Sequence, residues 1–140
     1  MEKQAAVETS ENMVKVYSEI NVSFKQSVEV CKAIKGKTLI QARKYLQNVL
    51  DEKDVVKYTR FNKDVPHRKG SGVAAGRRPM KAVSNFINLL NSLEKNAMDK
   101  GLTTSDLKIS LASANRGYSM RSSAKYRRGR LSKIHLEASV

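Results

Sequence analysis

The residues between positions 116 and 133 combine side chains that bind nucleic acid. The segment reads Arg-Gly-Tyr-Ser-Met-Arg-Ser-Ser-Ala-Lys-Tyr-Arg-Arg-Gly-Arg-Leu-Ser-Lys and contains seven Lys or Arg and no acid. Most of its cations are arginines, which bind phosphate in a bidentate way. Tyr118 and Tyr126 offer rings on which unpaired bases stack, and Gly117 and Gly129 allow close approach or sharp turns. A solvated charged hairpin is the plainer interpretation, but these features favour an arm that contacts nucleic acid.

A second basic cluster lies in a glycine-rich segment ahead of Pro79. Its members are His67, Arg68, Lys69, Arg77, Arg78 and Lys81. Backbone amides of such a loop, leading into a helix N-terminus, can bind phosphate. The segment has no Walker pattern, so a nucleotide site is poorly supported. We interpret the cluster as a second contact with an RNA backbone, and a plain surface loop is the alternative.

The sequence gives little support for a catalytic site or a metal-binding site. His67 and His135 form no Cys–His or Ser–His–acid arrangement that can be argued from spacing. Cys31 lies on the apolar face of a predicted helix, which indicates a core residue and not a nucleophile. His135 lies in a strand pattern, where it is structural or faces RNA. We expect no catalytic residue, no metal site and no cofactor.

The charge of the chain is large and unevenly distributed. The net charge of the 140 residues is +14, with 27 Lys or Arg against 13 Asp or Glu. Self-repulsion on this scale favours a polyanionic partner.

The single cysteine fits a reducing compartment, and we expect no membrane-spanning segment. Residues 1–12 are predicted to be a flexible acidic leader, and residues 13–140 a single domain.

The elements that must position these residues follow from the hydrophobic periodicity. Apolar residues at helical spacing predict two short helices and one long one, and alternating residues predict strands. Thr38 and Gln41 match a capping box, Pro79 suits a first helical position, and Phe86 lies in a wide apolar stripe. The expected elements are a strand within Met13–Phe24, helices Ser27–Lys35, Leu39–Leu50 and Pro79 to about Lys100, and strands Leu107–Ala114 and Ile134–Val140. This order predicts an α+β fold, with three main helices packed on a small antiparallel sheet and a long protruding basic β-hairpin at about residues 112–133. Composition predicts a loop over residues 65–78, and residues 51–64 have no assignment.

Several stretches of the sequence resemble a known ribosomal protein family. Phe24-Lys-Gln-Ser and the run from Cys31-Lys-Ala-Ile-Lys-Gly to Leu46 resemble the opening helices of universal large-subunit ribosomal protein twenty-two, called seventeen in the eukaryotic naming. Gly76-Arg-Arg-Pro-Met-Lys and the end of the long helix resemble its eukaryotic and archaeal branch. The arm and the following Ile134-His-Leu-Glu resemble its hairpin and closing strand. Because the tip reads Arg121-Ser-Ser and the lysine-rich tail of the eukaryotic pattern is absent, the resemblance implies a compact form.

The resemblance implies a non-enzymatic constituent of the large ribosomal subunit. Such a protein binds several rRNA domains, supports subunit assembly and lines the nascent-peptide exit tunnel with its hairpin tip. The implied partners are large-subunit rRNA, neighbouring ribosomal proteins at the tunnel and, in passing, the nascent chain. The implied location is cytoplasmic, with assembly in the nucleolus if the source is eukaryotic. A free-standing nucleic-acid-binding regulator is the alternative, and an enzyme acting on RNA is the third class.

The candidate site residues fall into two sets. The candidate RNA-contacting residues are Lys35, Lys37, Arg68, Lys69, Arg77, Arg78, Lys81, Arg116, Arg121, Lys125, Tyr126, Arg127, Arg128, Arg130 and Lys133. The resemblance places the tunnel-facing tip at Ser119, Met120, Arg121, Ser122 and Ser123.

Overall fold

The computed structural model describes residues 12–70, 72–118 and 130–140 of the chain. The described residues form three helices: α1 (Phe24–Ile34), α2 (Leu39–Leu50) and α3 (Met80–Asp99). Their strands are β1 (Met13–Ile20), β2 (Val56–Lys57), β3 (Gly76–Arg77), β4 (Lys108–Arg116) and β5 (Ser132–Ser139). The predicted α+β class, with three helices on a small antiparallel sheet, is confirmed. The predicted leader and the middle of the predicted hairpin lie outside the described residues.

The main sheet has three antiparallel strands in the order β1-β5-β4. The central strand β5 alternates strictly: Ile134, Leu136 and Ala138 are buried, and the residues between them face away from the core. Both edge strands contribute to the same buried layer, since Val16 of β1 and Ala112 of β4 lie opposite Leu136. One face of the sheet therefore packs on the helices, as period-two alternation predicts.

The helices form the other layer of the core. The apolar stripe of α3 is buried from Ala82 to Ala97, with Phe86 fully inaccessible. The capping box of α2 is present, because the Thr38 hydroxyl accepts from the Gln41 amide and the Gln41 side chain accepts from the Thr38 amide. In the α1–α2 connection, the Gly36 amide donates to the Ile109 carbonyl at 2.9 Å, and the Ile109 amide to the Lys37 carbonyl at 3.0 Å. The connection thus covers the outer edge of β4 near its start.

Several element boundaries differ from the sequence prediction. Phe24 is the first residue of α1 and not the last of a strand, because the Ser27 amide already donates to the Ser23 carbonyl at 2.9 Å. Pro79 is the N-cap of α3 and not its first helical residue; its carbonyl accepts from the Val83 amide at 2.9 Å. The prediction of a loop over residues 65–78 is wrong at its end, where β3 pairs with β2 and His67 bridges Ala75.

Candidate nucleic-acid interface

A basic groove of about 970 Å³ lies where four segments of the chain meet. Its walls are the start of α1, the segment that follows β2, the end of β3, and the base of the hairpin formed by β4 and β5. Six cationic side chains line the groove: Lys25, Arg60, Lys63, Arg77, Arg116 and Arg130. No Asp or Glu is among the described residues that line it. Such a concave, one-signed surface concentrates positive potential and attracts polyanions.

Two phenylalanine rings in the groove lie against its cations. Phe24 and Phe61 meet edge to face, with ring centroids 5.9 Å apart. The Arg116 guanidinium lies 5.3 Å from the Phe24 centroid, and that of Arg60 lies 5.4 Å from the Phe61 centroid. Lys25 adds a third cation–π contact, 5.7 Å from the Phe61 centroid. The groove therefore presents aromatic faces and phosphate-binding cations side by side.

Glu29 of α1 holds one wall of this groove in place. Its side chain is fully buried, and its carboxylate accepts from the backbone amides of Arg60 at 2.9 Å, Phe61 at 2.8 Å and Thr59 at 3.1 Å. Burial acts to raise the pKa of Glu29, but the three amides and the nearby Lys32 outweigh it and lower the pKa on balance. An ionised carboxylate thus anchors the groove-lining residues to the core.

The base of the hairpin closes the groove on the opposite side. Arg116 pairs with Ser132 in the sheet, and the Gly117 amide donates to the Leu131 carbonyl at 2.9 Å. A side chain at Gly117 would meet the backbone of Leu131 at 3.1 Å, so the glycine permits this close approach. The buried Ser132 hydroxyl donates to the Val22 carbonyl at 2.9 Å and ties the stem to the body. Arg116 and Arg130 consequently flank the groove from the stem.

The structure separates the predicted RNA-contacting residues into three groups. Arg77, Arg116 and Arg130 line the groove together. Lys35, Lys37, Arg68, Lys69, Arg78, Lys81 and Lys133 lie elsewhere on the surface. Arg121, Lys125, Tyr126, Arg127 and Arg128 lie outside the described residues, as do the predicted tip residues Ser119, Met120, Ser122 and Ser123.

Some of the surface cations are engaged within the protein. The Arg78 guanidinium donates to the carbonyls of Glu52 at 2.6 Å and Asp54 at 3.1 Å. The Lys133 ammonium lies 2.9 Å from a Glu19 carboxylate oxygen, and the Lys37 ammonium lies 5.5 Å from the Tyr45 ring centroid. For these residues, a contact with RNA stays a prediction.

The groove also contains residues that the sequence reasoning missed. Lys25, Arg60 and Lys63 were not among the candidates, nor were the rings of Phe24 and Phe61. The Arg60-Phe-Asn-Lys63 run has the same mixture of cations and an aromatic residue as the arm. This mixture could have identified the run as a candidate, but the run lies in residues 51–64, which the hydrophobic periodicity did not assign to an element.

Two titratable residues outside the groove, Cys31 and His135, have well-defined surroundings. Cys31 is 2% exposed, and burial raises the pKa of its thiol to about 12, so it remains a protonated core residue. His135 stacks on Tyr17 on the outer face of the sheet, with ring centroids 4.0 Å apart. No cluster of metal-ligating side chains occurs in residues 12–70, 72–118 and 130–140. Within the same ranges, no helix has both the length and the apolar character needed to cross a membrane.

Comparison with known proteins relates the sequence of this chain to ribosomal proteins. Large ribosomal subunit protein uL22 of Methanococcus aeolicus is 40% identical over 103 residues, which cover 73% of this chain and 67% of the relative. The uL22 protein of Methanoculleus marisnigri is 42% identical over 105 residues, or 74% of this chain and 69% of the relative. That of Methanococcoides burtonii is 41% identical over 120 residues, or 86% and 79%. The family model described as ribosomal protein L22p/L17e matches residues 16–139. The chain therefore belongs to the ribosomal protein L22p/L17e family.

Proposed function

We propose that this protein is a structural constituent of the large ribosomal subunit, where it binds rRNA and supports subunit assembly. Membership of a ribosomal protein family makes the chain a structural component and not an enzyme. The names of its archaeal relatives assign those proteins to the large subunit. In this proposal the chain acts in the cytoplasm as part of that subunit, and nucleolar assembly would apply only to a eukaryotic source.

The observation that carries the rRNA-binding proposal is the acid-free basic groove. Its six cations come from the start of α1, the segment after β2, β3 and the hairpin stem, which the fold brings together, and the net charge of the chain is +14. A polyanion that neutralises such a surface releases counterions, and this release supplies much of the affinity. The rigid body positions the groove, and the hairpin stem extends the cationic surface toward residues 119–129.

The second part of the proposal concerns the position of the hairpin tip. We infer that Ser119, Met120, Arg121, Ser122 and Ser123 face the nascent-peptide exit tunnel, beside neighbouring ribosomal proteins and the passing nascent chain. This inference is supported by the family resemblance and by the pairing of β4 with β5, which continues as far as Gly117 and Leu131. In the arm, Lys125, Tyr126, Arg127, Arg128 and Arg130 are proposed to bind rRNA of several domains.

Sedimentation of the protein in cell lysate tests the proposal. On a sucrose gradient at low salt, the protein is expected to co-migrate with large subunits. It should remain with them after a high-salt wash, because an arm threaded into RNA cannot dissociate by screening alone. A protein that stays at the top of the gradient, or that washes off readily, would instead favour a free-standing nucleic-acid-binding regulator.

A further inference from the structure

The groove contains side chains that a contact with phosphates alone does not require. Cations alone are enough to bind a nucleic-acid backbone, but here two half-buried phenylalanine rings stand among them. Planar faces next to arginine match a planar ligand that carries a phosphate. We propose that the groove is a binding site for one unpaired nucleotide, whose base stacks on Phe61 and whose flanking phosphates bind Arg60 and Arg116. This inference rests on the proposed rRNA-binding function and adds a specific occupant.

The size and charge of the groove fit that occupant. Its volume of about 970 Å³ lies at the upper end of the roughly 300–1,000 Å³ typical of ligand pockets. This leaves room for a base, its ribose and the phosphates on both sides. Six cations and no acid among the described lining residues favour an anionic ligand.

The cation–π contacts leave the rings available to a base. Arg60 is exposed, so its guanidinium can turn from the Phe61 ring to a phosphate and exchange a weak contact for a charge-assisted hydrogen bond. The backbone of Phe61 cannot follow, because its amide is bound to the buried carboxylate of Glu29 at 2.8 Å. The backbone that carries the ring thus stays in place while the cations rearrange around the ligand.

Tyr58 provides an independent indication of a ligand. The residue lines the groove and is only 5% exposed. Its buried hydroxyl has no hydrogen-bond partner among the residues that the structure describes. Buried polar atoms in native proteins almost always have a partner. Because the hydroxyl is covered by protein atoms, a base edge or a ribose hydroxyl in the groove can bond to it only after a neighbouring side chain moves. Such groups distinguish an RNA nucleotide from a bare phosphate.

Chemical probing of large-subunit rRNA bound to the full-length protein tests the site. The transcribed rRNA is probed at its base edges, alone and in complex with the wild-type protein or with Phe61→Leu. We expect at least one unpaired base that the wild type protects and the variant leaves reactive. Loss of one stacking contact should weaken binding by about tenfold. The salt dependence should not change, because no charge is removed.

Two further variants make the result specific. Phe61→Tyr keeps the ring and should retain the protection. Tyr17→Leu removes an exposed aromatic side chain on the sheet, outside the groove, and should leave the protection intact. Thermal unfolding followed by circular dichroism establishes that each variant is folded.

Three results would overturn the inference, and they point to different causes. If Phe61→Leu changes no base reactivity while rRNA binding and its salt dependence persist, the groove holds only backbone, and the proposed function stands. If a photo-crosslinker at position 61 attaches to a neighbouring protein in assembled subunits and not to rRNA, the occupant is an acidic peptide. If the wild-type protein does not bind rRNA, the proposed function fails together with this site.

Discussion

The basic groove and the outer face of the sheet both carry cations and aromatic rings, but only the cations of the sheet face have acidic partners. On the outer face, the Lys15 ammonium lies 3.0 Å from the Glu137 carboxylate, and that of Lys133 lies 2.9 Å from Glu19. These partners sit directly opposite each other in the register of β1 and β5. The groove also combines cations with aromatic rings, but no acid is among the described residues that line it. Acidic partners beside the cations of the sheet, and their absence from the described groove lining, thus distinguish the two surfaces.

This contrast changes how the net charge of +14 should be understood. Cross-strand pairing of opposite charges contributes to sheet stability and leaves little electrostatic potential that could attract a ligand. Cations in a groove that face aromatic rings or solvent are not neutralised by an acid, so their positive electrostatic potential can attract a polyanion. Part of the net positive charge of this chain therefore lies in the groove, which Arg60, Arg77 and Arg116 line.

Removal of the Glu29 carboxylate should have the largest effect, because it removes the link between the core and one wall of the groove. Glu29→Ala leaves three backbone amides, of Thr59, Arg60 and Phe61, without their acceptor. We expect a loss of roughly 3 kcal/mol in the free energy of unfolding, since each unsatisfied buried group costs about 1–3 kcal/mol. Urea unfolding followed by circular dichroism measures this loss. A loss below about 0.5 kcal/mol would mean that the wall does not depend on Glu29.

Neutralisation of two groove arginines should lower rRNA affinity without a comparable loss of stability. For Arg60→Gln combined with Arg116→Gln, we expect the log–log dependence of affinity on salt to become shallower by roughly 1.4–1.8, or about 0.7–0.9 for each phosphate contact. Filter binding to large-subunit rRNA over a series of salt concentrations measures this slope. An unchanged slope would remove both residues from the interface.

Acid should weaken the groove wall through the same carboxylate. The pKa of Glu29 is lowered from the usual value of 4.5 in the folded protein. A lowered folded-state pKa gives stability that is complete above the unfolded-state value and is lost as the pH falls through the folded-state value. The stability difference between wild type and Glu29→Gln should therefore be constant above about pH 5 and shrink below about pH 4. Thermal unfolding at a series of pH values measures it, and a constant difference would contradict the prediction.

The elements that local patterns specify were the most predictable part of the molecule. The bounds of α2 and its Thr38–Gln41 capping box agree with the prediction, because the cap and the apolar spacing are encoded within a few residues. The apolar stripe of α3 is buried as its period indicates. The strands that form the stem were found with shifted ends, since pairing across the sheet and not local sequence decides where a strand stops.

The groove could not be predicted to the same extent, because its walls meet only in the folded chain. The start of α1, the segment around Phe61 and the base of the hairpin are far apart in sequence. The link from Glu29 to the amides of residues 59–61 joins positions about thirty residues apart and has no local signature. The predicted arm contributed Arg116 and Arg130 to the groove, whereas the residues opposite them had no assignment.

Arg78 tests whether a cation with internal partners acts mainly on stability. Its guanidinium donates to two backbone carbonyls in the turn after α2 and lies 3.9 Å from the Glu52 carboxylate. Arg78→Gln should lower the free energy of unfolding by about 1–2 kcal/mol and leave the salt dependence of rRNA binding unchanged. Unfolding and filter binding of the same preparation measure both quantities. A shallower salt dependence at unchanged stability would instead make Arg78 an RNA contact, as the sequence predicts.

The smallest effect is expected on the outer face of the sheet. Lys15→Gln combined with Lys133→Gln removes the same net charge as the two groove substitutions, so it is their matched control. Each lysine has a carboxylate within 3.0 Å, and solvent screens exposed pairs of this kind, so they contribute little to stability. We expect a stability loss smaller than that of the Arg78 variant and a change in salt slope much smaller than that of the groove pair. Equal slope changes from the two pairs would show that net charge alone controls binding. A change confined to Lys133→Gln would add that residue to the interface at the expense of its Glu19 pair.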